Sequence, residues 1–497
     1  MALASLTRTD TVIEPDRTRV LIRPHVIGNR ERRTRIIARL LELSDSEVED
    51  ELDYVSTRFD ARHPDFRGVL LARFGSIAEL VPTDRPLSES RKLLIGAAFM
   101  LEYSLEGAAL FNPSIVPHPD QSGLAPGALR FILSLRATGE GHISSLVFRE
   151  GEVDSQGGIS IYPPTRFVSE GSATNNPMFD TELFRDKLKE IGDWNDTTKS
   201  VLEEVGEQFS LQEIQSVLYN TERSNRHMSD VEQGTISRVR TLLRSHYYVN
   251  FPPGGAISER VIYPIAPTER LGIEDARFVH FQNDDESRTY YAIYTAFDGN
   301  MILPQLLSTQ DFANFRISTL SGLQVENKGM ALFPRKLGGQ FAAVGRQDNE
   351  SLYLMFSDRL LFWRSKTLLL RPTFTWECIQ IGNCGSPIET EAGWLLLTHG
   401  VGPMRTYSIG AVLLDKDDPA RVIGRLPFPL LKPNEAEREG YVPNVLYSCG
   451  ALVHGERLIL PYAISDSSNR FATVRMDELL DELIRCGPSG SGGTGDM

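Results

Sequence analysis

The chain predicts a mainly β protein: a five-bladed β-propeller with an N-terminal α-helical extension and an α-helical insertion. Two observations carry that reading. After residue 250, strings built as strand, turn and second strand recur about every 50 residues, the length of a four-stranded blade. Two other stretches instead space their apolar residues at helical intervals. The spacing favours a propeller over a β-sandwich, the alternative such strings also allow.

Composition supports a large core. Of 497 residues, 41% are hydrophobic and 24% charged, with 40 Gly and 28 Pro, which excludes a mainly disordered, collagenous or coiled-coil protein. Lys and Arg number 52 against 66 Asp and Glu, a net charge of −14, so nucleic acid and anionic membrane are not expected partners. The 4 cysteines form no CxxC pair and no disulfide scaffold. The start lacks a secretory apolar run. The most apolar segment, 93–111, carries Glu102 and Glu106 and reads as a packed helix rather than a membrane span. A soluble cytoplasmic protein is the expectation.

Residues 1–107 read as the helical extension. Ile36, Ile37, Leu40, Leu41 and Leu43 keep helical spacing, and Val48, Leu52, Val55 and Phe59 resume it. Between them, Ser44 followed by Glu47 has capping-box spacing. The basic run 29–35 reads as a solvated helix face before a phosphate patch. Residues 108–485 read as the propeller. Its first blade, within 111–178, contains RFILSLRA and GGISIYPP, and helices interrupt it at about 180–248, where Ser210 with Glu213 and Ser229 with Glu232 repeat the cap. YYAIYTAFDG, SLYLMFSD, WLLLTHGVG and LILPYAISDS head the later repeats. Residues 486–497 read as a flexible tail.

Zinc, P-loop and serine-hydrolase motifs are missing, so no metal and no cofactor are expected. What remains are polar residues inside apolar or turn-forming strings, where they are costly unless bonded or used. GIEDARF, 272–278, sets two carboxylates beside Arg277. An acid working near neutrality needs a raised pKa or a relayed proton, and a neighbouring Arg can position it. Taken alone, the string reads first as a salt-bridged turn. FNPS and LSLRATGEGHIS add Asn112 and Arg136, each alone a turn or core hydrogen-bonder. Later strings supply Lys328, Arg346, His399, Tyr407 and Asp466. Gathered together, the Lys, Arg, His and Tyr would suit an oxyanion such as phosphate.

In order, FNPS, LSLRATGEGHIS, GIEDAR, YTAFDG, NKGMALFP, LTHGVG, YSIGAVLLD, GYVPNVLYSCG and AISDS resemble glycoside hydrolase family 130, the β-mannoside phosphorylases and related β-mannosidases. The resemblance covers about 110–178 and 250–480, and the N-terminal strings resemble the branch acting on β-1,2-linked mannobiose and mannooligosaccharides. It implies a five-bladed propeller with a central active site and inverting phosphorolysis: a β-mannoside and inorganic phosphate, the co-substrate, give α-mannose 1-phosphate and a shortened sugar.

The resemblance makes Asp275 the acid, its proton relayed through a sugar hydroxyl. It assigns Asn112, Arg136 and Asp466, with Arg277 and Asp298 of the matching strings, to substrate binding. Lys328, Arg346, His399 and Tyr407 are the candidates for phosphate. Ala276 departs from the Pro that many relatives carry. Glu389 and Glu439 find no role in this scheme. An inverting hydrolase needs a second carboxylate to activate water, whereas phosphate needs only cations to hold it in line. Hydrolysis by water and a non-catalytic carbohydrate-binding propeller are the competing readings. The insertion is expected to wall the acceptor side, and the N-terminal helices leave a homo-oligomer open.

Overall fold

The computed structural model describes residues 5–174, 177–225, 227–299 and 302–489. It is mainly β. Among the described residues, five antiparallel quartets follow one another along the chain. Quartet I is Ala109–Pro117, Leu129–Thr138, Ser144–Val153 and Ile159–Ile161. Quartet II is Gly272–Gln282, Arg288–Phe297, Ile302–Thr309 and Asn314–Thr319. Quartet III is Ala331–Leu332, Phe341–Gly345, Leu352–Ser357 and Thr367–Leu370. In quartet IV, Gln380–Asn383 and Ile388–Thr390 share one edge of Gly393–Gly402, followed by Thr406–Leu414 and Val422–Arg425. Quartet V joins Leu446–Tyr447, Arg457–Ile464 and Ser468–Arg475 to Thr7–Ile13 from the other end of the chain. A parallel bridge between Gly272 and Ser144 joins the first two quartets into one 12-stranded sheet, to which the strand Arg260–Ile262 adds beside Ser144–Val153.

Alternation of apolar residues gives each quartet two buried faces, and the core is layered accordingly. Phe148 of quartet I packs among Phe278, Phe312 and Phe315 of quartet II. Phe281 meets Leu332 and Met355. The Phe333 ring stands edge-on to Trp394, centroids 5.0 Å apart, between quartets III and IV. Leu413 and Leu460 share the next layer, and Phe131 faces Phe471 at 6.1 Å between quartets I and V. Backbone bonds follow the same sequence: Gln282 N to Pro334 O at 2.8 Å, Ile381 N to Glu350 O at 2.9 Å, Tyr407 N to Asn444 O at 3.0 Å, and Cys449 N to Pro113 O at 2.8 Å.

The N-terminal segment is not helical throughout. Its helices are Arg30–Leu41, Asp45–Phe59, Phe66–Ile77 and Glu89–Ala97. The Ser44–Glu47 capping box forms, and a Cβ on Gly96 would sit 2.1 Å from the Leu70 carbonyl, so only glycine lets those two helices meet. Thr7–Ile13, however, is a strand paired with Ser468–Arg475, and Val20–Pro24 pairs with Met100–Ser104. A boundary at 107 therefore cuts through quartet V. The apolar segment 93–111 is likewise no single helix: the helix stops at Ala97, and Met100–Ser104 and Ala109–Pro117 are strands. Glu106, in the turn between them, is fully buried because it neutralises Arg149 at 2.6 Å and Arg19 at 3.4 Å.

The insertion holds the helices Thr181–Glu190, Asp196–Glu203, Leu211–Ser224 and Asp230–Arg244 around its own core of Phe179, Phe184, Phe209 and Leu218. Capping boxes form at Ser210 and Ser229. Glu182 pairs with Arg359 at 3.1 Å, Asp186 with Arg364 at 3.3 Å, and Glu190 accepts from the Gly322 amide, so the insertion is fastened to quartets II and III. At the other end of the chain, Met476–Cys486 is a helix whose Leu479 and Leu483 pack on quartets IV and V, so Cys486 belongs to the fold. The rest of the expected tail, from 490 on, lies outside the described residues. No helix among the described residues is long and apolar enough to cross a membrane.

Candidate active site

The site is built at strand irregularities. Asn112, Asp275 and Asp466 all have left-handed backbones, with φ of 53°, 55° and 52°. Non-glycine residues rarely hold that conformation without structural enforcement. For Asn112 and Asp275 the enforcement is a bulge: register shifts between Phe111 and Ser114, and between Glu274 and Arg277. Each bulge turns a polar side chain out of the strand's alternation. Asp466 sits in the tight turn between Arg457–Ile464 and Ser468–Arg475.

Asp275 is the centre. Asn112 Nδ2 donates to its carboxylate, and Arg136 lies 3.4 Å from the same oxygen. Arg136 also pairs with Glu274 at 2.7 Å, and Glu274 is in turn paired with Lys328, which stands 5.7 Å over the Phe297 ring. Arg277 donates to the Asp275 backbone carbonyl at 2.8 Å and to the Tyr447 hydroxyl at 2.7 Å. Burial alone would raise the pKa of Asp275. Arg277, Arg136 and Lys328, with the Asn112 hydrogen bond, outweigh it and hold the carboxyl below its ordinary range.

Asp466 behaves oppositely. Burial and then the charge of Asp275 push it up to about 6, against the pull of Arg136 and Arg405. Two acids in one site thus have pKa values driven apart.

A second cluster begins where Tyr447 ends. Its ring centroid lies 4.8 Å from that of His399, and Tyr407 stacks on His399 at 6.1 Å while meeting Tyr447 at 6.3 Å. Arg346 donates to His399 Nε2 at 3.2 Å. Burial, then Arg346 and Arg277, drive the imidazole pKa well below normal, so His399 is neutral, and Arg346's donation puts its proton on Nδ1. That Nδ1, Arg346 Nε and Asn383 Oδ1 are buried with no hydrogen-bond partner. Such orphaned atoms are costly unless a ligand or water completes them.

The structure therefore brings Asn112, Arg136, Asp275, Arg277 and Lys328 into one network, adjoins Asp466 to it, and sets Arg346, His399 and Tyr407 beside it. Asp298 follows Phe297, its backbone carbonyl held by Arg270 at 2.8 Å. Sequence reading missed the parts of Glu274, Tyr447 and Arg405. Glu274 was visible in the two-carboxylate string; Tyr447 had only its place in YSCG as a signal. Of the two unplaced acids, Glu389 pairs with Arg335 at 2.7 Å away from this centre, and Glu439 is exposed. Among the described residues, no group of three His, Cys, Asp or Glu side chains is placed to hold a metal.

A mainly β scaffold with a buried acid, sugar-type amide and guanidinium donors, and an incomplete cationic pocket defines a carbohydrate-processing class of protein. Comparison with known proteins narrows it. The sequence model described as β-1,4-mannooligosaccharide phosphorylase, glycoside hydrolase family 130, matches residues 254–485. A 1,2-β-oligomannan phosphorylase of Thermoanaerobacter sp. strain X514 is 33% identical over 215 residues, 42% of this chain and 71% of that protein. A β-1,2-mannobiose phosphorylase of Listeria innocua is 31% identical over 230 residues, 45% of this chain and 63% of that one. The solved β-1,2-mannobiose phosphorylase of L. innocua, in complex with β-1,2-mannobiose, aligns with a TM-score of 0.44 at 20% identity, covering 77% of this chain and 93% of that chain. The chain belongs to glycoside hydrolase family 130.

Proposed function

We propose that the chain is an inverting β-mannoside phosphorylase, taking β-1,2-linked mannobiose or mannooligosaccharides and inorganic phosphate to α-mannose 1-phosphate and a shortened sugar. The observation that carries this is the second cluster: a half-buried guanidinium and a neutral, buried imidazole with unsatisfied donors, next to the Asp275 network. Phosphate supplies acceptor oxygens for those donors and is already nucleophilic, so no base is required. The names of the relatives point to the same reaction and linkage.

The electrostatics fit an ordered role for phosphate. Arg277, Arg136 and Lys328 favour the ionised form of Asp275, which is wrong for an acid. An anion entering beside Lys328 and Arg346 offsets those charges and raises the Asp275 pKa, so the proton is held when the nucleophile is in place. Asn112, Arg136 and Asp466 then hold the mannosyl unit, with Arg277 bracing the acid's backbone and Asp298 at the rim. The five quartets are read as the blades of a five-bladed propeller. Its support is the succession of apolar layers, including the one between quartets I and V, and a cavity of about 370 Å³ lined from all five, by Val116, Phe278, Pro334, Ile388 and Leu452 among others.

The test is incubation with β-1,2-mannobiose with and without phosphate. Mannose 1-phosphate forms only with phosphate, and Asp275→Asn loses at least about a thousandfold in kcat. Mannose release that is indifferent to phosphate would make the chain a hydrolase, and binding without turnover would make it a carbohydrate-binding protein.

A further inference from the structure

At the seam between the insertion and quartet II lies a cavity of about 260 Å³ outside the site described above. Its walls are mostly apolar, with Phe179, Phe184 and Leu242 from the insertion and Leu361 from quartet III's loop. Into this apolar space come Lys187, His246, Arg316 and Thr319. Asp180, the acid of the lining, and Glu190, the partner of Lys187, are both already engaged. Glu190 pairs with Lys187 at 3.0 Å and takes the Gly322 amide, while Asp180 caps the Leu183 amide at 2.9 Å and faces Arg359 at 3.7 Å.

Two donors are left over. Arg316 lies at the exposed edge of the cavity, and its side chain makes no hydrogen bond or ion pair among the described residues. Thr319 is only 3% exposed, and its Oγ1 has no partner. A buried hydroxyl without a partner is expensive in a packing gap and useful in a binding site. The His246 ring stands edge-on to Phe179 at 5.0 Å, and after burial it is Arg316 and Lys187 that push its pKa down, to about 3, with no carboxylate opposing them. The charges that bear on His246 are therefore positive.

We propose that this cavity is a second binding site, for a small amphipathic carboxylate with an aromatic or short aliphatic body. The body fills the Phe179–Phe184–Leu242–Leu361 space, and the carboxylate meets Arg316 and Thr319. A cavity of about 150 Å³ accommodates benzene, so this volume suits a ring plus a carboxylate. A sugar would leave most of its hydroxyls unpaired against these walls.

4-Bromobenzoate is the probe, titrated calorimetrically into the full-length protein with saturating phosphate present and then soaked into crystals. Saturable millimolar or tighter binding is expected, with the bromine anomalous peak between Phe179 and Leu361. Arg316→Gln should weaken binding about tenfold, and Thr319→Val, which keeps the shape, should weaken it severalfold. Absence of saturable binding, a bromine peak elsewhere, or affinity unchanged in both variants would overturn the site.

Discussion

Asp466 shows how much one carboxylate can say about a site. Unfolded, it titrates near 3.8; folded, burial and the charge of Asp275 move it to about 6. The native state thus holds this proton more tightly than the unfolded chain. The resulting stability is fully present below about pH 4 and is lost as pH rises through 6. Asp466→Asn should therefore melt at a higher temperature than the parent at pH 7.5, with the difference gone at pH 4, while binding the mannoside less tightly. Thermal scans across pH 4–8 check the sign. This residue, Asn112, Asp275 and Arg277 were legible as polar letters in apolar strings, and the resemblance supplied their roles. Their left-handed backbones were not legible, because a bulge depends on the register of a partner strand that the local sequence does not carry. Tyr447 was hidden for a related reason. Its importance comes from lying between Arg277 and His399, which are 170 and 48 positions distant only as letters, and which the fold makes neighbours.

Among the elements, helices were read well because their period and caps are local. Ser44, Ser210 and Ser229 each begin a helix where the spacing puts one. The stretch 93–111 misled because a run this rich in apolar residues has no clear period to read: helix and strand look alike until tertiary contacts decide. The decision is made partly by Glu106. Its buried carboxylate meets Arg19 and Arg149 and accepts from the Asp16 amide at 2.8 Å, tying the segment that leads into the N-terminal helices onto quartet I. Glu106→Gln leaves two buried guanidinium groups short of their counter-charge. The expected loss is about 3–5 kcal/mol in denaturant unfolding, far beyond what a surface Glu→Gln change would cost. The helix Met476–Cys486 escaped notice altogether, although MDELLDELIRC has helical spacing, because it follows directly on a strand without a side-chain cap at Arg475.

At the scale of the molecule, net charge described the exterior alone: −14 overall, yet Arg136, Arg277, Lys328 and Arg346 crowd the centre. Chain order is equally deceptive, since quartet V takes its outer strand from Thr7–Ile13, with Arg8 reaching the buried Glu437 at 3.0 Å. Removing residues 1–13 exposes the edge of Ser468–Arg475. The melting temperature should fall by about 5 °C or more, and light scattering should reveal edge-to-edge association.

That pairing also sets a clock. At roughly 5–20 residues per second, Thr7 is synthesised roughly 20–90 s before Ser468. Throughout that interval the segment TRTDTVI has no partner strand, while the other four quartets are made downstream. Its alternation of Thr, Arg and Asp with few apolar residues suits the wait, since a sticky strand would find a wrong edge first. The last strand to find its place in quartet V is then one made long before its partner.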